Sequence, residues 1–389
     1  MFIHDTKRPA GTIFSARALF ALAGFAVAAW APLVPYVKAE LNLSHLELSH
    51  LILLMGSGSI IGMICISLFL RYIPMKWIFA AAAVTINAAL LSCILINDYS
   101  QAAVAIFSFG FALGILEVGG NIYASYLEDK LRLILLPSMH GCYSVGEIGA
   151  LITAVVLLGL NLGFIAALFV PCALLSLTML STLGTIKFSP ADFKGQKKST
   201  ALVIPKGAVL MFALVSSLIY MVEGGMLDWS ALFLLQKTDI PLNFASSGYV
   251  VLVTAMAASR FAGAYLIGRF KTYKVLSVSV LLCALSLIAV FFIDNLLLLY
   301  VCFLVLGLSL ANVMPICISL AGKQKSMPVL AAISAVSTCG YGALIVGPAL
   351  IGYLAEHLTL NGAFFTLGLA VLALTVLICA TPKVFSHQA

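Results

Sequence analysis

The chain has 389 residues, 63% of them apolar and 9% charged, with a net charge of +7. So little polar surface cannot cover a water-soluble body of this length, which excludes a soluble enzyme or binding module as the main architecture. Apolar runs of about 20 residues, long enough to cross a hydrocarbon core of roughly 30 Å, recur from end to end between short polar connections.

The polar start Met1 to Arg17 leads straight into the first apolar run without a clearly placed small-residue cleavage pattern, so the first helix is expected to stay. The pattern predicts spans over 16–36, 51–70, 77–96, 102–126, 134–160 and 163–185. After a polar stretch, six more follow over 208–225, 248–268, 275–293, 295–321, 328–354 and 361–380. The expected fold is an all-α membrane protein of twelve transmembrane helices in two six-helix, pseudo-symmetric halves. The halves are 1–186 and 207–389, joined by a cytoplasmic linker over 187–206 that carries Pro190, Gly195 and the Lys197-Lys198 pair.

An internal repeat supports this division. Leu113-Gly114 in the fourth span recurs as Leu306-Gly307 in the tenth, and Gly149 to Ile152 recurs as Gly342 to Ile345, both at an offset of 193 residues. Arg71 with Lys76 and Arg269 with Lys274 follow the second span of each half, as parallel repeats would require.

The basic residues read as a topology signal. With both termini cytoplasmic, Lys7, Arg8, Arg17, Arg71, Lys76, Lys130, Arg132, Lys187, Lys194, Lys197, Lys198, Lys206, Arg269, Lys271, Lys274, Lys323, Lys325 and Lys383 fall inside. Only Lys38 and Lys237 fall outside, and Arg260 lies within a span. That asymmetry follows the positive-inside rule, places the chain in the cell inner membrane and removes nucleic acid as a partner. The nine cysteines stand singly inside apolar runs, without zinc or disulfide spacing, and read as packing residues. No metal and no cofactor is expected.

Ionisable residues inside a bilayer are costly and point to function. In the fourth span, helical spacing puts Glu117 and Asn121 on one face beside Gly119 and Gly120. A carboxyl group in a low-dielectric interior is suited to exchanging a proton near neutral pH. Glu117 is therefore the main proton-coupling candidate; the alternative is a helix-packing hydrogen bond. In the fifth span His140, Tyr143 and Glu147 form one polar stripe, expected to face a cavity or else to join a satisfied interhelical network.

The seventh span carries Glu223-Gly224-Gly225 followed by Asp228-Trp229, where the glycine pair is expected to weaken the helix and Trp229 to stack on a solute ring or to mark the outer interface. Glu147 and Glu223 join Glu117 as proton-coupling candidates. Asn121, His140, Tyr143, Asp228, Trp229 and, in the tenth span, Asn312 are the substrate-binding candidates. Arg260 in the eighth span is expected to be structural, snorkelling or pairing with carbonyls at a helix C-terminus.

These residues resemble the major facilitator superfamily, and within it the fucose-permease-like branch including the YbjJ type. Arg260 to Phe270, with Lys274-Val275-Leu276, is similar to the corresponding fucose-permease segment, as is Leu116-Glu117 with Asn121, where that branch carries a fourth-helix Glu implicated in proton and sugar handling. His140 to Ser144 and Asp228-Trp229-Ser230 resemble the YbjJ type. Ala31 stands where the fucose permease has a first-helix Asp, which argues against fucose itself. The superfamily's loop signature after the second helix is reduced to Ser67 through Lys76.

The expected function is a proton-coupled secondary transporter, not an enzyme, moving a small polar, sugar-like solute by alternating access. It is expected to act as a monomer whose partners are the solute, protons and the lipid bilayer. The rivals are a proton-driven exporter of amphipathic compounds and a non-transporting membrane receptor or assembly partner. No phosphate-cradling Gly-rich loop with Lys and Ser/Thr is present to use nucleotide.

Overall fold

The computed structural model describes residues 9–93, 95–96, 98–131, 135–193 and 204–386. Lys7, Arg8, Arg132, Lys194, Lys197, Lys198 and half of the expected linker, 194–203, lie outside them. In a bilayer each segment must satisfy its own backbone hydrogen bonds, and long apolar runs do so as helices.

In chain order the helices are α1 (Pro9–Trp30, continuing through a 3-10 turn, Ala31–Leu33, into Val34–Glu40), α2 (His45–Phe69), α3 (Met75–Ser92), α4 (Tyr99–Leu131), α5 (Leu136–Gly159) and α6 (Gly163–Leu183). A short helix, Pro190–Phe193, follows α6. Next come α7 (Ala208–Lys237), α8 (Ser247–Phe270), α9 (Thr272–Phe292) and α10 (Leu296–Leu310, resuming as Val313–Lys323). The last element, Val329–Ala380, bends at Thr359, where φ is 66° and ψ 162°; its two arms are α11 and α12. The Thr359 hydroxyl oxygen accepts from the Gly362 amide at 3.2 Å and caps the start of α12. Eleven described segments are long and apolar enough to cross a membrane, and the last is 50 residues long, enough for two crossings on either side of that bend. The described residues therefore hold twelve transmembrane helices.

The seventh span was expected to end at Gly225, yet α7 runs unbroken to Lys237. A Cβ at Gly224 would press on the Leu344 carbonyl oxygen, and one at Gly225 on the Ile351 side chain. Close packing against α11 thus offsets the poor helix propensity of glycine. The interruptions fall elsewhere: in α1 at Ala31-Pro32-Leu33, and in α10 at Ala311-Asn312.

The helices form two compact units. One holds the described residues of Met1–Leu41 and Leu54–Lys197, the other Asn42–Leu53 and those of Lys198–Ala389. The first turns of α2 therefore belong to the second unit and the rest of that helix to the first.

In the first unit α1 lies on α5 and α2 on α4, with backbones in contact. A Cβ at Gly24 would strike the Tyr143 carbonyl oxygen, and one at Gly146 that of Ala21. Gly114 lies against the Ser59 carbonyl in the same way. The second unit repeats the pairing: α7 lies on α11 and α8 on α10, with Gly307 against the Leu252 carbonyl. Ser59 and Leu252 stand at the same 193-residue offset as Gly114 and Gly307, so the short sequence repeat marks both partners of one recurring contact. Without hydrophobic drive between helices in lipid, such small-residue contacts are what van der Waals packing requires.

The first unit is also pinned where α6 ends. The Phe188 carbonyl accepts from the Met75 amide at 3.1 Å, and the Phe188 ring stands edge-on to Tyr126 at 4.9 Å. Ser189 and Asp192 form a capping box: the Ser189 amide and hydroxyl donate to Asp192 Oδ2 at 2.9 and 2.7 Å, and Tyr126 donates to Oδ1 at 3.2 Å. Partial burial alone would raise the Asp192 pKa. The Ser189 and Tyr126 hydrogen bonds and the nearby Lys130 outweigh it and hold the carboxyl below its usual 3.8.

Two stability tests follow from these contacts. Gly146→Ala should cost about 1–3 kcal/mol through overpacking, whereas Gly184→Ala, with nothing within 4 Å of the added Cβ, should be neutral or slightly stabilising. Equal melting temperatures for the two detergent-purified variants would refute the close α1·α5 approach. Because the folded pKa of Asp192 is lowered, its contribution is fully present above the unfolded value of 3.8 and disappears only as pH falls through the lower folded value. Asp192→Asn should therefore destabilise by about 0.5 kcal/mol, the low end for a solvent-screened cap. The loss should be the same at pH 5 and pH 8, and thermal melts that differ between those two pH values would contradict this.

Candidate functional site

In the first unit the site is built on α4 and α5. Glu117 and Asn121 lie one turn apart on α4, and the Asn121 amide donates to the Glu117 carbonyl oxygen at 3.0 Å, bracing its own helix. From α5, the Tyr143 hydroxyl donates to Glu117 Oε1 at 3.2 Å. The position of Tyr143 follows from the packing already described, because its backbone rests on Gly24 of α1. The glycine surface beside Glu117 is filled by aromatic rings: a Cβ at Gly119 would strike Phe79, and one at Gly120 would meet Phe20 at 3.5 Å.

His140, one turn before Tyr143, is exposed and stands edge-on to Phe20 with ring centres 5.4 Å apart. Glu147, one turn after it, is buried. The fifth-span stripe thus passes from an exposed imidazole, through the tyrosine that holds Glu117, to a buried carboxyl.

In the second unit, Glu223 near the middle of α7 meets Arg260 near the middle of α8, with Nη2 3.3 Å from Oε1. The arginine reaches across to a neighbouring helix, in place of the expected snorkelling toward a helix end. Its side chain is 36% exposed and that of Glu223 17%. An exposed guanidinium at this depth is expensive against hydrocarbon, so the face carrying the pair is a polar one. Tyr220, one turn before Glu223, packs on Tyr341 of α11 with ring centres 5.5 Å apart and planes inclined at 54°.

The remaining second-unit candidates are deeply packed. Asn312 sits at the break in α10, where its amide donates to the Ser259 carbonyl at 2.9 Å and hydroxyl at 3.1 Å, tying the break to α8. Asp228 is buried. Trp229 is fully buried, donates from Nε1 to the Pro348 carbonyl at 2.9 Å, and has one ring face stacked on His45 at 5.8 Å. His45 begins α2 and pairs with Gln236, while the next amide, Leu46, donates to Glu356 at 3.2 Å.

Sequence reasoning brought Glu117, Asn121 and Tyr143 to attention separately, and the structure joins them. It missed Tyr220, Tyr341, Ser259 and His45. Tyr220 was within reach, since it lies three residues before Glu223 and so on its face. Tyr341, set between Gly340 and Gly342, carries no periodic signal.

Comparison with known proteins supplies the context for this geometry. A model of the Major Facilitator Superfamily matches residues 18–328. The chain is 33% identical over 367 residues to an uncharacterised MFS-type transporter of Yersinia pestis, covering 92% of each chain. It is 25% identical to the membrane protein MosC of Rhizobium meliloti over 99% of this chain and 93% of that one. Among solved structures, a mutant of the nucleoside transporter NupG superposes with a TM-score of 0.77 at 16% identity, over 96% of this chain and all of that one. The D-xylose-proton symporter gives 0.72 at 13% identity, over 94% and 96%. Twelve membrane-spanning helices, a repeated helix pairing in two units and a family match over most of the sequence lead to one conclusion: this chain belongs to the Major Facilitator Superfamily of transporters.

Proposed function

We propose that the protein is a proton-coupled secondary transporter that carries a small polar solute by alternating access, with Glu117 as the proton carrier. The observation that carries this reading is the Tyr143–Glu117 hydrogen bond. An ionised carboxylate can only accept from the tyrosine hydroxyl, whereas a protonated carboxyl can donate to the tyrosine oxygen. Reversing one hydrogen bond therefore serves both protonation states without moving α4 or α5. Glu223 differs, because a proton taken up there would leave the Arg260 charge uncompensated.

Asn121 and His140 complete the first-unit set as substrate contacts, and Asn312 tunes the second unit through Ser259. Asp228 and Trp229 serve packing in this reading, and Glu147 is held in reserve as a second proton site. Solved neighbours named as a nucleoside transporter and a D-xylose-proton symporter support a polar solute and a proton as the coupled pair. The resemblance of the Arg260 to Phe270 stretch supports the fucose-permease-like branch. The basic residues support an inner-membrane location with both termini cytoplasmic, and the fold suits a monomer.

Glu117→Gln mimics the protonated carboxyl, so it should abolish uphill accumulation while solute exchange at equal concentrations survives. Counterflow beside proton-driven uptake in the same proteoliposomes decides this. Accumulation by the Gln variant under an imposed pH difference would remove Glu117 from the coupling role. Separately, a cysteine placed at Gly195 in a background without native cysteines should react with an impermeant maleimide only after the cells are opened. Labelling of intact cells would reverse the orientation.

A further inference from the structure

The polar face of the second unit holds four side chains that the sequence did not unite. Glu223 and Arg260 pair at 3.3 Å, and Tyr220, one turn before Glu223 on α7, packs on Tyr341 of α11 with ring centres 5.5 Å apart. Tyr220 and Glu223 stand three residues apart on one face of α7, so the ring pair and the ion pair adjoin.

The place is built for the rings. A Cβ at Gly340 would come within 3.1 Å of Tyr220 Cδ2 and 3.2 Å of Met314, so the missing side chain is what lets the Tyr220 ring lie against α11. Tyr341, by contrast, is 41% exposed, and the side chain of Arg260 is 36% exposed. An aromatic ring and a guanidinium left open together within a bundle of apolar helices face a solute space and not lipid.

We propose that Tyr220 and Tyr341 are specificity-determining residues that select a neutral, ring-shaped, hydroxylated solute. The proposal rests on the transporter reading above. The open Tyr341 ring offers a face on which a sugar or base ring stacks. The neighbouring ion pair supplies donors from Arg260 and acceptors from Glu223 to hydroxyl groups while carrying no net charge. An anionic solute would have to displace Glu223 from Arg260 and leave that carboxylate unpaired, so the same arrangement discriminates against anions.

The test uses D-xylose and uridine as neutral ring probes and D-glucuronate as the anionic counterpart. Binding is measured by thermal shift on the detergent-purified full chain, and proton-driven uptake of the same probes in proteoliposomes. At least one neutral probe should bind and glucuronate should not. Tyr341→Ala should weaken that binding about tenfold, as loss of a stacking ring does. Tyr341→Phe, which keeps the ring, should recover most of the loss, a rescue that a purely structural tyrosine hydroxyl would not show. The unliganded Tyr341→Ala protein should melt close to the parent, because the residue is partly open.

Binding of neither neutral probe, tighter binding of glucuronate, or unchanged affinity in Tyr341→Ala would overturn the proposal. If a probe is carried with protons but Tyr341→Ala binds it unchanged, this proposal fails and the transporter reading stands. If a probe binds but no proton-driven uptake occurs, the transporter reading fails.

Discussion

The structure depends on contact between helix backbones in which glycine replaces a side chain. In lipid, helices gain nothing by hiding apolar surface from one another, so association relies on close van der Waals approach. Gly24 and Gly146 bring α1 and α5 together, and Gly114 does the same for α2 and α4. Gly224 with Gly347, and Gly307, repeat the arrangement in the second unit. Tyr143, whose hydroxyl reaches Glu117, has its own backbone against Gly24.

The two units treat intramembrane charge in different ways. In the first, the Glu117 carboxylate has an uncharged hydrogen-bond partner in the Tyr143 hydroxyl, while Asn121 bonds only the Glu117 backbone carbonyl. In the second, Glu223 stands against a permanent cation. A carboxyl beside a reversible hydroxyl can change its proton at little structural cost, whereas one paired with an arginine cannot without breaking the pair. In the proposed reading, this contrast separates a proton-handling role from a solute-recognising one.

Helix irregularities fall where the backbone has a specific reason. In α1 the break coincides with Pro32 and Pro35, which remove backbone donors. In α10 the break is held by Asn312 and Ser259. The Gly224-Gly225 pair looks like a weak point along the chain, yet α7 passes through it because α11 packs against those same glycines. Propensity is a local quantity, and here the neighbouring helix overrides it.

Sequence by itself determined the solvent and the architecture: apolar runs of membrane-crossing length, their number, and a 193-residue repeat that marks paired helices. These were legible because hydropathy and backbone satisfaction act along one segment at a time. It also singled out Glu117, Glu223 and Arg260, since a charge in an apolar run stands out without any fold. The partners were decided only in three dimensions. That Tyr143 holds Glu117, that Arg260 crosses to Glu223, that Tyr341 meets Tyr220 and that Trp229 stacks on His45 are all contacts between separate helices, the last two between helices distant in the chain. A tyrosine or glycine in a membrane helix has no periodic signature of its own. Its role depends on the helix it faces, which is set by how closely the two backbones can approach.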